Sequence, residues 1–272
     1  MNTALESVLR REGAVIATAL VLVTALAWGY VLWLAADMDM GGMDMSDYRM
    51  IPAGLGWMMP RTAPWSALEF ALVFVMWAVM MVGMMLPSAA PMILLYARVG
   101  RHASERGTIF AATTWFAGGY LLAWTLFALL ATTAQWLLDR ALLLDAGMAG
   151  VTDTFGGLVL IAAGLYQWTP LKDTCLARCR APIAFILQHG GFRADAAGAL
   201  QIGLRHGAYC VGCCWALMAL LFVGGVMNIL WIAGLAILVL LEKVLPGGRL
   251  LSRFAGAGFV AAGIWLLAAG SA

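Results

Sequence analysis

The sequence predicts an all-α fold: a polytopic bundle of about seven transmembrane helices (six or seven), in a single integral membrane domain over residues 1–272, with its N-terminus cytoplasmic. Three observations carry this expectation. Of the 272 residues, 64% are hydrophobic and only 11% charged, whereas a soluble domain is nearer half apolar and a quarter charged. The apolar residues gather in continuous runs close to the roughly 20 residues a bilayer requires. The basic residues fall mostly on alternate sides of those runs. So few polar side chains could not cover a water-soluble globule of this size. A soluble enzyme, a nucleic-acid binder and a disordered tail are therefore excluded, and the lipid bilayer is the first partner. A net charge of +2 is too small to imply an anionic one.

The expected spans are residues 14–36, 66–86, 109–134, 154–169, 208–226, 228–245 and 254–270. Strands of a membrane barrel alternate over about ten residues; these runs are continuous and longer, so helices are the remaining way to satisfy the backbone in lipid. The first run follows Arg10 and Arg11 and exceeds the apolar core of a usual signal peptide, about 7–15 residues, which favours a retained helix. The second begins near Glu69 and is followed by Pro87 and Pro91, which should break or kink it. The third contains Gly118 and Gly119, the fourth Gly156, Gly157 and Gly164, and the last Gly256 and Gly258, all suited to close helix contact. The fourth run is short. The fifth and sixth are joined almost directly through Gly224, Gly225 and Asn228, so a kink or a re-entrant hairpin is the alternative there. Residues 37–65 form an outer Met/Asp-rich loop and residues 171–207 a cytoplasmic loop rich in cysteine and basic residues. Only Arg49, Arg61 and Arg140 of the 16 lysines and arginines lie on the outer side. The positive-inside bias therefore puts the N-terminus in the cytoplasm, and the composition fits a multi-pass protein of a bacterial inner membrane.

Five cysteines, Cys175, Cys179, Cys210, Cys213 and Cys214, lie at or near the cytoplasmic side on this topology. That compartment keeps thiols reduced, so metal binding or redox work is expected before a structural disulfide. His206, Cys210, Cys213 and Cys214 fall within an arc of about 100° on a helix, and Met218 lies at its edge. Thiolate and thioether donors favour Cu(I), with imidazole as a compatible partner; Zn(II) also accepts Cys and His. The competing reading is that free cysteine is a small buried hydrophobe. Cys175 and Cys179 are four apart and share a helical face. Arg178 and Arg180 should lower their thiol pKa values. This pair either hands metal over or belongs to an inert loop.

The chain has 17 methionines. Met38, Met40, Met43 and Met45 are interleaved with aspartates in the outer loop. Thioethers do not form disulfides, so they suit Cu(I) capture in an oxidising compartment; the plain alternative is an acidic linker. Glu69, Met76, Met80 and Met84 share an arc of roughly 80° on the second span. A carboxylate in a span is a functional suspect, while a methionine stripe is commonly core filling. If the second and fifth helices are neighbours, methionines and cysteines meet. Glu242 and Lys243 read as an interfacial ion pair, and His102 and His189 as solvated.

Three segments, 77–91 (WAVMMVGMMLPSAAP), 166–179 (YQWTPLKDTCLARC) and 207–218 (GAYCVGCCWALM), together with the run 225–243, resemble a family of metal-binding integral membrane proteins first described only as a domain of unknown function. One branch is associated with copper supply to a bacterial tyrosinase-type polyphenol oxidase. The resemblance covers most of the chain after residue 66 and implies a metal-linked membrane protein. The segment 38–45 lies outside it and rests on donor chemistry alone.

The expectation is thus a non-enzymatic membrane protein that binds Cu(I) for delivery or translocation. Its expected partners are the metal ion and a copper-dependent enzyme or a periplasmic metallochaperone. No GxxxxGK[ST] loop is present, so ATP coupling within this chain is not expected. Two alternatives stand: a membrane thiol–disulfide oxidoreductase using the C-x-x-C pair Cys210 and Cys213, and a structural subunit with buried cysteines.

Overall fold

The computed structural model describes residues 2–38, 47–54, 56–105, 113–145, 148–150, 152–193 and 195–270. In chain order these form α1 (Asn2–Met38), β1 (Tyr48–Met50), β2 (Met58–Pro60), α2 (Ala67–Glu105), α3 (Thr113–Arg140), α4 (Asp153–Tyr166), α5 (Pro170–Arg180), α6 (Pro182–Gln188), α7 (Ala196–Ala219), α8 (Leu221–Gly224), α9 (Ile229–Val244) and α10 (Gly248–Ala269). Among the described residues, five helical stretches are long and apolar enough to cross a membrane: Gly13–Met38, Ala67–Gly100, Thr113–Arg140, Ala196–Gly224 and Gly248–Ala269. The fourth and sixth expected spans are helices of 14 and 16 residues, α4 and α9. Leu26, Leu130, Leu230, Phe254 and Trp265 are exposed on the bundle's outer face. Such side chains find their solvent in acyl chains.

Polar residues at the boundaries start several helices. Thr152 caps Phe155 N at 3.2 Å, Thr169 caps Lys172 N at 3.3 Å, Asp195 caps Gly198 N at 2.7 Å and Asn228 caps Trp231 N at 3.2 Å. Each satisfies an N–H that the first turn leaves open. The turn between α8 and α9 is tight: Gly225 takes φ +94°, a conformation that glycine adopts without penalty. Trp231 Nε1 closes it by donating to Leu220 O at 2.7 Å.

Several expectations are corrected. Pro87 and Pro91 do not end α2, which runs on through both. The carbonyl freed by the missing N–H of Pro87, that of Gly83, accepts instead from Trp28 Nε1 on α1 at 3.2 Å. The segment 37–65, expected as a loop, contains a hairpin: β1 and β2 pair antiparallel, with Arg49 opposite Met59. Residues 171–207 are largely helical, in α5, α6 and the first half of α7. Because α7 starts at Ala196 and not at residue 208, the cysteines lie in its middle and second half and not in its first turns.

α2 packs on α1, α3 and α9; α7 packs on α3 and α5; α4 pairs with α10. The last contact is backbone on backbone. A Cβ on Gly157 would clash with Gly263 O, and one on Gly164 with Gly256 O; both reciprocal clashes also hold. Gly203 and Gly207 play the same role between α7 and α3: added Cβ atoms would strike Phe116 O and the Ala123 side chain. This close approach seats the aromatic ring of Tyr120 against the cysteine face.

Candidate metal centre

The three cysteines of α7 face inward. Cys210, Cys213 and Cys214 are each 1% exposed. Helical spacing puts Cys210 one turn before the other two, so both thiols turn back to the Cys210 carbonyl, Cys213 Sγ at 3.1 Å and Cys214 Sγ at 3.0 Å. Cys210 Sγ itself meets side chains from two other helices. Tyr120 Oη of α3 is 3.1 Å away and Lys243 Nζ of α9 donates to it at 2.9 Å. Lys243 Nζ also donates to Ser88 Oγ of α2 at 2.9 Å.

α5 supplies the remaining thiols. Its Cys175 is buried against Gly212, where any Cβ would collide with the Cys175 sulfur. Cys179 lies beside Cys210 and Cys213. All five thiols therefore gather where α5 packs on α7. The arginines of α5 do not lower these thiol pKa values as expected. Burial, then the neighbouring Cys213, pushes Cys175 up. Cys179 is raised well above its ordinary value, first by the neighbouring Cys210 and Cys213 thiols and then by burial. The physical reason is direction: Arg180 reaches away to Leu245 O at 2.6 Å and Pro246 O at 2.8 Å.

The methionine stripe of α2 is buried throughout, Met76 and Met80 at 0% and Met84 at 2% exposure. The methionine that touches a thiol is one residue off that stripe: Cys214 Sγ lies 3.9 Å from Met85 Sδ. Met85 O also accepts from Tyr120 Oη at 3.1 Å. α2 and α7 thus do meet, through sulfur. Met218 is buried one turn beyond Cys214.

His206 sits one turn before Cys210, 3% exposed. The rings of Phe185, Tyr120 and Phe116 surround it at 5.3, 5.8 and 6.0 Å. Its Nδ1 has no hydrogen-bond partner among the described residues.

Glu69 belongs to a different cluster, beside the β1–β2 hairpin. Arg49 of the hairpin reaches down to it, Nε to Oε1 at 2.5 Å and Nη2 to Oε2 at 3.0 Å. Asp139 stands 3.8 Å from Arg49 and accepts from Trp65 Nε1 at 2.8 Å. Burial works against the Arg49 charge, but the hydrogen bond to Glu69 and the charges of Glu69 and Asp139 outweigh it and hold its pKa above the ordinary value. Both Glu69 oxygens are thus engaged. A small cavity of about 10 Å³ lies beside this cluster, lined in part by Met50 and Met148. Met38 ends α1, half-buried, while Met40, Met43 and Met45 lie outside the described residues.

Tyr120, Lys243, Ser88 and Met85 were missed from sequence. Lys243 carried a readable signal. Adjacent helix residues do not face each other, so Glu242 and Lys243 could not be one ion pair. Glu242 in fact pairs with Lys172 of α5 at 2.7 Å, and both are buried. Among the described residues, no group of three or more His, Cys, Asp or Glu is arranged ready-made to hold a metal. The thiols are instead spent on one another, on a backbone carbonyl and on Lys243. The arrangement can present several soft donors to one cation once these contacts rotate off.

A family model described as PpoB2, copper chaperone, matches residues 74–266 of this chain. No curated protein and no solved structure matches it.

Proposed function

The chain belongs to the PpoB2 copper chaperone family, and from that premise we propose that it is an inner-membrane protein that carries Cu(I) as cargo in a sulfur cradle between α5, α7 and α2 and passes it to a copper-dependent enzyme. The observation that carries this reading is the gathering of all five thiols at one helix interface, with a thioether 3.9 Å from one of them. Sulfur donors of this kind select soft ions. Cys210, Cys213 and Cys214 are the core ligands in this reading, with Met85, Cys179 and Cys175 in reach. The unpartnered Nδ1 of His206 supports its place beside them. Zn(II) is the metal to test against Cu(I).

The finer topology belongs to the same proposal. The chain crosses the bilayer seven times with its N-terminus in the cytoplasm, α4 and α9 being short crossings. The outer Met/Asp segment, Met38, Met40, Met43 and Met45, collects the ion or receives it from a periplasmic metallochaperone. Met76, Met80 and Met84 line its way inward. Glu69 acts in this scheme only when Arg49 releases it. No chemistry on the cargo is required, so the protein is not an enzyme in this reading.

The test is anaerobic Cu(I) titration of the purified protein and of its Cys210→Ser/Cys213→Ser/Cys214→Ser variant. Stoichiometric binding by the first and its loss in the second is the expected result. A wild-type protein that binds no Cu(I) under reducing conditions refutes the reading.

A further inference from the structure

Lys243 brings a positive charge to the cysteine face. It lies in the last turn of α9, and its Nζ donates to Cys210 Sγ of α7 and to Ser88 Oγ of α2, both at 2.9 Å. Ser88 in turn donates to Met85 O at 2.8 Å, so its oxygen lone pairs are left for the ammonium. Tyr120 Oη, which donates to the same carbonyl, stands 3.1 Å from Cys210 Sγ. These contacts pin Nζ between the sulfur that α7 presents and the turn of α2 that carries Met85.

The obvious counter-ion is already taken. Glu242, the neighbour in sequence, pairs with Lys172 of α5 at 2.7 Å, and among the described residues no carboxylate pairs with Lys243. A charge held among helices without a carboxylate is costly, and packing alone needs no charge there. A metal bonded to Cys210 Sγ lies about 2.3 Å from it. While Ser88 holds Nζ in place, that ion is therefore no farther than about 5 Å from the ammonium. Coulomb repulsion at such a distance scales with the charge of the ion. On any one set of sulfur donors, it costs a divalent ion twice what it costs a monovalent one. Cu(I) and Zn(II) have the same filled d shell and both accept thiolate, so a fixed charge can separate them where donor type does not.

We propose that Lys243 is the specificity-determining residue of the sulfur cradle: its positive charge, anchored by Ser88 beside Cys210, admits a monovalent soft ion and disfavours a divalent one. The inference rests on the copper reading and deepens it by naming what tells Cu(I) from Zn(II). No electron moves in the binding step. The hydrogen bond from Nζ to Cys210 Sγ breaks and a copper–sulfur bond forms. A thiol that becomes a ligand gives its proton to solvent, while Lys243 keeps its own proton and its bond to Ser88.

Anaerobic competition titrations of the purified full chain, all at one pH, measure the Kd for Cu(I) and for Zn(II) and hence their ratio. Lys243→Gln removes the charge at similar length, and the preference for Cu(I) over Zn(II) should fall about tenfold or more. Lys243→Leu should give the same shift, and Lys243→Arg, which keeps the charge, should stay near wild type. A merely structural lysine would weaken both ions alike. An unchanged ratio in the two neutral variants therefore overturns the inference and leaves the copper reading standing, whereas a wild-type chain that binds no Cu(I) refutes the copper reading itself. Should neither neutral variant fold, Ser88→Ala reads the same effect. It keeps the ammonium but releases its anchor, so the ratio should fall in the same direction; an unchanged ratio there overturns the inference as well.

Discussion

Met85 and Met84 are neighbours in sequence with different surroundings. Met84 continues the stripe of Met76 and Met80, while Met85 lies against Cys214. Leucine has nearly the same volume as methionine, so Met85→Leu should cost less than about 1.5 kcal/mol of stability. It removes a soft donor, and Cu(I) affinity should fall about tenfold or more, which is about 1.4 kcal/mol or above. Competition with a Cu(I) chelator measures this, and an unchanged affinity would reduce Met85 to packing. Arg49 tests a different physics. Arg49→Leu leaves Glu69 buried without its counter-ion, and the loss should be about 3–5 kcal/mol. The double change Arg49→Leu/Glu69→Leu should recover most of it. Unfolding in detergent reads both; equal losses in the single and double variants would contradict the assignment of this pair.

The helices that bear the thiols are positioned by what they lack. Gly203 and Gly207 let α7 touch the backbone of α3, and that contact brings Tyr120 to 3.1 Å from Cys210. A side chain there has nowhere to go, because its obstacle is partly backbone. Gly203→Val should destabilise the bundle by at least about 1–3 kcal/mol through overpacking and should weaken Cu(I) retention by displacing Tyr120. A variant with wild-type stability would mean that the two helices are not so close. The unbroken course of α2 past its prolines follows from neighbours too. The indole of Trp28 satisfies the Gly83 carbonyl from another helix, and a local sequence pattern does not display such a partner.

Taken whole, the proposed orientation puts the basic loops on the inner side and the segment 37–65 on the outer side. A reporter inserted at Gly191, in the turn between α6 and α7, should be cytoplasmic, and one at Thr62 should be external. The reverse result at both sites would invert the orientation and direct the sulfur cradle's exchange to the other compartment. Ligand linkage is the second test at this scale. Free Cu(I) at about 100 times its Kd should stabilise the folded protein by about 2.7 kcal/mol, and the triple cysteine variant should show no such shift in its unfolding midpoint.

What could be read from the chain alone was whatever depends on composition, run length and spacing within one helix. The membrane-helical class follows from hydropathy, and the shared inward face of His206, Cys210, Cys213 and Cys214 follows from the helical repeat. The donor types pointed to copper before any neighbour was known. Helix packing determined the rest. Lys243 reaches Cys210 across 33 residues, Met85 reaches Cys214 across 129, and Arg49 takes Glu69 across 20. None of these pairings has a periodic signature. They arise because glycines let particular helices approach and because buried charges must find opposite charges in a medium that offers no water. Which sulfur meets which cation is therefore a property of the assembled bundle.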